Sequence, residues 1–96
     1  QVDFIIEGTD GVPVSLELIF RPGGILSGII PMPGRDKSFL FDSKIAQYTM
    51  GEDSIHISPG LQQHKGILLR GALPPMDAPT VYLTGFTPFK HSIKIY

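Results

Sequence analysis

Pro13 to Gly24, PVSLELIFRPGG, is the stretch whose reading decides the fold. Val14, Leu16, Leu18 and Phe20 fall on one side of an extended chain, and Ser15, Glu17 and Arg21 fall on the other. A period of two with one apolar side is the mark of a half-buried β-strand. Ile19 is apolar on the nominally wet side, so that face is expected to be partly covered by another strand, a loop or a second domain. Pro22-Gly23-Gly24 ends the strand, because proline fixes φ and glycine is free to take the positive φ of a type II turn.

The same pattern extends in both directions. Upstream, Val2, Phe4 and Ile6 alternate with Asp3, Ile5 and Glu7, and Gly8-Thr9-Asp10-Gly11 is turn chemistry, which predicts a hairpin between the first two strands. Downstream, Ile25 to Ile30 reads as a third strand, with Gly28 marking a bulge or a close backbone approach. Ser38 to Phe41 is a short strand. Ile45 to Met50, the turn Gly51-Glu52-Asp53 and Ser54 to Ser58 make a second hairpin. Pro59-Gly60 breaks the chain again. Gln63 to Arg70 is read as a strand and not a helix, since the window is short, carries Gly66 and runs into Gly71 and two prolines. Gly71 to Pro79 is expected to be a surface loop and a binding lip. Thr80 to Leu83 and Ser92 to Tyr96 are the last strands.

Eight or nine short strands, punctuated every 8–12 residues or so, predict an all-β fold, with an antiparallel β-sandwich favoured over a small barrel. The expected core is Phe4, Ile6, Val14, Leu16, Leu18, Phe20, Phe39, Phe41, Tyr48, Ile55, Ile57, Ile67, Leu69, Val81, Leu83, Ile93 and Ile95. The chain of 96 residues is read as a single domain over 1–96, large enough to bury roughly 60–65% of the surface its unfolded chain exposes. It begins at Gln1 and contains no asparagine, and it is expected to be a piece of a larger protein.

Composition excludes several kinds of chemistry. Without cysteine there is no disulfide scaffold, thiolate zinc site or cysteine nucleophile. Eight basic and nine acidic residues, with no block of either sign, give no electrostatic footprint for nucleic acid or an anionic membrane. No apolar run approaches the roughly 20 residues of a membrane-spanning helix. Neither a GxSxG elbow nor a GxxxxGK[ST] phosphate loop occurs, and no cofactor is expected.

The histidines His56, His64 and His91 are the candidates for a metal or an acid–base site. No HxH or HExxH pair puts two ligands on one element, so they are read as polar-face or strand-end residues, with a metal protein or small enzyme as the alternative. Asp3, Glu7, Glu17 and Asp42 supply carboxylates, but alternate outward positions on strands are where solvated carboxylates ordinarily sit. A more informative grouping is aromatic and polar. Tyr82 and Thr84 share the outer face of a late strand, while Ser92, Lys94 and Tyr96 share the outer face of the last. If these two strands pair, Tyr82, Lys94 and Tyr96 form a flat patch on which a sugar ring can stack while it hydrogen-bonds to the ammonium group. Packing of that patch against a neighbouring domain is the favoured expectation, because Ile5 and Ile19 also indicate that some outer surface is covered.

The order of the segments DGVPVSLE (10–17), FRPGG (20–24), HKGILLRG (64–71) and VYLTGFTPFKH (81–91) resembles the C-terminal β-sandwich region of bacterial heparinase II/III-like polysaccharide lyases. The resemblance implies a β-sandwich that buttresses an α/α-toroid domain in a periplasmic or extracellular protein handling acidic polysaccharide. It implies no catalytic residue here, since the family's chemistry lies largely on the toroid. The sequence therefore leads to a non-catalytic accessory domain whose partners are a neighbouring domain of its parent and an acidic polysaccharide. An autonomous carbohydrate-binding module is the alternative.

Overall fold

The structure is a computed structural model that describes residues 1–65 and 78–96. Nine β-strands run through these residues: β1 Val2–Ile6, β2 Pro13–Ile19, β3 Ile25–Ser27, β4 Ile30–Pro31, β5 Ser38–Leu40, β6 Ala46–Met50, β7 Asp53–Ser58, β8 Thr80–Phe86 and β9 Phe89–Ile95. They form two sheets, a five-stranded one in the order β1-β9-β7-β6-β3 (sheet I) and a four-stranded one in the order β2-β8-β5-β4 (sheet II). The expected all-β, sandwich-like fold is what the chain adopts. Its core is built from both sheets: Ala46, Ile57 and Ile93 come from sheet I, Val81 and Leu83 from sheet II, and Phe41 follows β5. Leu16 and Leu18 of β2 pack against this cluster, as the alternation in the opening stretch requires.

The β6–β7 hairpin forms as expected. Met50 pairs with Asp53, leaving Gly51 and Glu52 as a two-residue loop. Gly51 has φ 62°, the positive value that a type II′ turn needs at its first position.

The first two strands do not form a hairpin. β1 pairs with β9 in sheet I and β2 pairs with β8 in sheet II, so the β1–β2 connection is an arch that crosses between the sheets. The β8–β9 connection is a second such arch, and the two lie against each other. Thr87 joins them: its backbone N–H donates to Val12 O at 2.9 Å, its carbonyl accepts from Gly11 N at 2.8 Å, and its hydroxyl donates to Thr9 O. Arches nest here because each strand has its partner at the far end of the chain.

Two further expectations change. The predicted third strand is split into β3 and β4, which belong to different sheets, and the break falls at Gly28 and Ile29, with Gly28 at φ 77°. Pairing is not wholly antiparallel, because β5 runs parallel to β8 with Ser38 opposite Thr80 and Leu40 opposite Tyr82. Beyond β5, Gln62 continues that parallel line with a bridge to Thr84.

Of the expected core residues, Ile55 and Ile95 are 38% and 51% exposed. They face inward but lie at an open end of the sandwich, where they and Ile57, Leu18, Ile19 and Phe20 line a cavity of about 250 Å³. Met32, Leu40 and Tyr82 form a second buried cluster that the alternation did not reveal. Residues 66–70 of the predicted strand Gln63 to Arg70, with Ile67 and Leu69, and residues 71–77 of the predicted loop lie outside the described residues.

Candidate functional site

In an antiparallel sheet, cross-strand partners share a face and alternate residues share a side of each strand. Ser58 is opposite Lys94, Gln47 opposite His56, Thr49 opposite Ser54 and Asp3 opposite Ser92. Tyr96 pairs with His56, since His56 N donates to Tyr96 O at 2.6 Å and Tyr96 N donates to His56 O at 2.9 Å. The outer face of sheet I therefore carries Tyr96, Lys94 and Ser92 on β9 and just past it, His56 and Ser58 on β7, and Gln47 and Thr49 on β6.

At the centre of this face the His56 and Tyr96 rings are stacked, with centroids 5.3 Å apart and planes 18° from parallel. One side of the phenol ring is taken by the imidazole, and the residue is 58% exposed, so the remainder of the ring meets solvent. Stacking holds the ring in one orientation, which lowers the entropic cost of using it as a platform. Lys94 is exposed beside it and, with Ser58, Ser92 and Gln1, lines a cavity of about 300 Å³. Gln47 Nε2 donates to Thr49 Oγ1 at 3.2 Å, which fixes the amide on the other flank.

Asp3 lies on the β1 side of the same face. It accepts from Gln1 Nε2 at 3.0 Å and from Ser92 Oγ at 2.5 Å. These two bonds favour the carboxylate and hold its pKa below the ordinary 3.8. With a lowered folded-state pKa, the stabilisation is fully present above the ordinary value and is lost as pH falls through the lowered one. In a Ser92→Ala variant the Asp3 midpoint, followed by carboxyl carbon NMR, is expected to rise toward 3.8. An unchanged midpoint would show that the Ser92 hydroxyl does not hold the carboxylate.

The patch expected from pairing the last two strands is not formed, because β8 and β9 lie in different sheets. Tyr82 and Thr84 are on sheet II and fully buried. Tyr82 packs with Met32 and Leu40, and its hydroxyl donates to Glu17 Oε2 at 2.9 Å. Thr84 Oγ1 donates to His64 O at 2.7 Å and accepts from the N–H groups of Gln63 and His64, each at 3.2 Å. Lys94 and Tyr96 do share a face, as expected, and the structure gives them His56 and Ser58 as neighbours in place of Tyr82 and Thr84. The alternation of His56 with Ile55 and Ile57 marked it as outward. Nothing local marked β7 as the neighbour of β9.

The three histidines are held apart in three settings. His56 stacks on Tyr96. His64 is buried, with Nε2 donating to Val14 O at 3.0 Å and its ring edge-on to Phe86. His91 Nε2 donates to Pro59 O at 2.9 Å. Among the described residues no group of three histidine, aspartate or glutamate side chains is placed to hold a metal ion. Of the carboxylates, Glu17 meets Tyr82 and Asp3 meets Ser92, while Glu7 and Asp42 are exposed. No family model matches this chain, and no curated protein or solved structure matches it either.

Proposed function

We propose that the chain is a non-catalytic accessory domain of a carbohydrate-processing protein and that it contacts glycan through the outer face of sheet I. The observation that carries this reading is the stacked His56–Tyr96 pair beside Lys94 and Ser58. A pyranose ring has an apolar face of C–H groups and a rim of hydroxyls. The free side of Tyr96 suits the first, while Lys94, Ser58 and the Gln47–Thr49 pair suit the second. The ammonium group adds attraction for sugars that carry a carboxylate. Attachment to a neighbouring domain is supported by the apolar groove at the open end of the sandwich, where Ile19, Ile55 and Ile95 are exposed.

Calorimetric titration with neutral and uronate-containing oligosaccharides tests the glycan contact. Tyr96→Ala is expected to weaken binding about tenfold through loss of the stacked ring, with the melting temperature nearly unchanged because the side chain is exposed. Lys94→Gln is expected to weaken the acidic ligands more than the neutral ones. Equal affinity in the native chain and Tyr96→Ala would remove the platform from the proposal. Absence of binding to every sugar would leave the domain as a purely structural attachment.

A further inference from the structure

The β4–β5 loop carries an arginine whose position the platform on sheet I does not use. Arg35 Nε and Nη2 are both shut off from solvent, and neither has a hydrogen-bond partner among the described residues. These two atoms form one edge of the guanidinium, where two N–H bonds point in nearly the same direction. The group cannot be deprotonated, so its charge persists. Unmade hydrogen bonds at a charged, desolvated donor are among the least favourable states a side chain can occupy. The geometry that relieves them is a pair of coplanar acceptor oxygens.

The surroundings suit such an acceptor. Arg35, Gly34, Lys37 and Ser38 line a cavity of about 600 Å³, with Asp36 also on its wall. The backbone turns through the left-handed region twice, at Gly34 with φ 74° and at Lys37 with φ 59°. Lys37 is the single non-glycine residue with positive φ among the described residues, and backbone strain of this kind recurs at ligand clamps. The loop is tied across its base by Met32 N donating to Ser38 O at 2.9 Å. Its two inner bonds, Arg35 N to Met32 O at 3.3 Å and Ser38 N to Arg35 O at 3.4 Å, are longer than the usual N–H···O bond, and an anion reaches the covered edge only if the loop shifts. The Asp36 carboxylate opposes an incoming anion, but it is exposed and screened by water and salt.

We propose that this loop is a binding site for a small oxyanion, taken by the Nε and Nη2 edge of Arg35. The site lies on sheet II and is independent of the platform on sheet I. Either a carboxylate or a tetrahedral sulfate or phosphate group offers the required pair of oxygens, and the probes separate the two sources.

The isotope-labelled chain is titrated with sodium acetate and, separately, sodium sulfate, with sodium chloride holding ionic strength constant. Saturable shifts at the amides of Gly34 to Ser38 and at the Arg35 Nε–H are expected. Stronger binding of acetate identifies a carboxylate source, and stronger binding of sulfate a tetrahedral one. Arg35→Gln is expected to abolish saturation. Arg35→Lys, which keeps the charge and loses the fork, is expected to weaken it at least tenfold. In chloride alone Arg35→Gln is expected to melt no lower than the native chain, since it removes two unmade bonds, and the bound anion raises the melting temperature of the native chain only. Shifts that track ionic strength, or equal saturation in Arg35→Gln, would overturn the site.

Discussion

Tyr82→Ala is expected to destabilise the domain by about 3–5 kcal/mol, the range for removing a large buried aromatic ring. Tyr82 is fully buried against Met32 and Leu40 on the outer side of sheet II, and β8 has sheet neighbours on both sides, β2 and β5. Deleting the ring leaves a cavity that this central strand cannot collapse to fill. It also removes the phenol that donates to Glu17 Oε2, one of the bonds that fix β2 against β8. For a domain of this size each kcal/mol moves the melting temperature by about 4–8 °C, so the variant is expected to melt at least ~12 °C lower. Calorimetry on Tyr82→Ala and Tyr96→Ala side by side separates the two tyrosines by role. The first loses stability, and the second loses sugar affinity while melting normally. A Tyr82→Ala variant within about 1 kcal/mol of the native chain would mean that β8 is not packed on both faces.

This contrast shows how far the residues could be read without coordinates. Alternation places Leu16 and Leu18 inward and Glu17 outward, and the turn Gly51-Glu52-Asp53 marks the β6–β7 hairpin, although Asp53 itself proves to be the first residue of β7. Both signals are local, as is the physics behind them. The Gly8 to Gly11 cluster is a turn, as its residues predict, but a tight hairpin and an arch between sheets need the same residues. The difference is decided by what the strands meet at the other end of the chain. There, Thr87 satisfies the backbone of Gly11 and Val12, and with them the arch. From sequence, Tyr82 and Thr84 looked like an outer polar face. Their hydroxyls are instead satisfied by Glu17 and His64, which are remote in sequence.

The candidate site was half legible for the same reason. Lys94 and Tyr96 alternate with Ile93 and Ile95, so their side of β9 could be assigned. His56 alternates with Ile55 and Ile57, so its side of β7 could be assigned too. Their adjacency is a long-range fact, written in the backbone pairing of His56 with Tyr96. Arg35 was less legible still. A single arginine in a Pro-Gly loop reads as a solvated charge until its buried edge is seen.

Gly28→Ala is expected to cost about 2–5 kcal/mol, combining the strain of a left-handed alanine with a steric overlap that cannot relax. Gly28 has φ 77° where the chain leaves sheet I after β3 and enters sheet II as β4. A methyl group there would overlap the Ile45 carbonyl oxygen and lie 3.2 Å from Ala46 Cα. Both are backbone atoms at the start of β6, and Ala46 is a buried member of the core. The Ser43 hydroxyl donates to the Gly28 carbonyl at 2.7 Å and holds the approach closed from the same side. Relief therefore requires moving β6 itself or opening the crossing between the sheets. Gly34→Ala is the control, because Gly34 has nearly the same φ, 74°, but open space where the methyl would go. It is expected to cost only the conformational part, about 1–2 kcal/mol. Urea unfolding of the two variants isolates the contact: Gly28→Ala is expected to be clearly the less stable, with an unchanged denaturant slope. Equal losses would mean that the crossing is loose, and that the split of the predicted third strand reflects turn preference alone and not the packing of the two sheets.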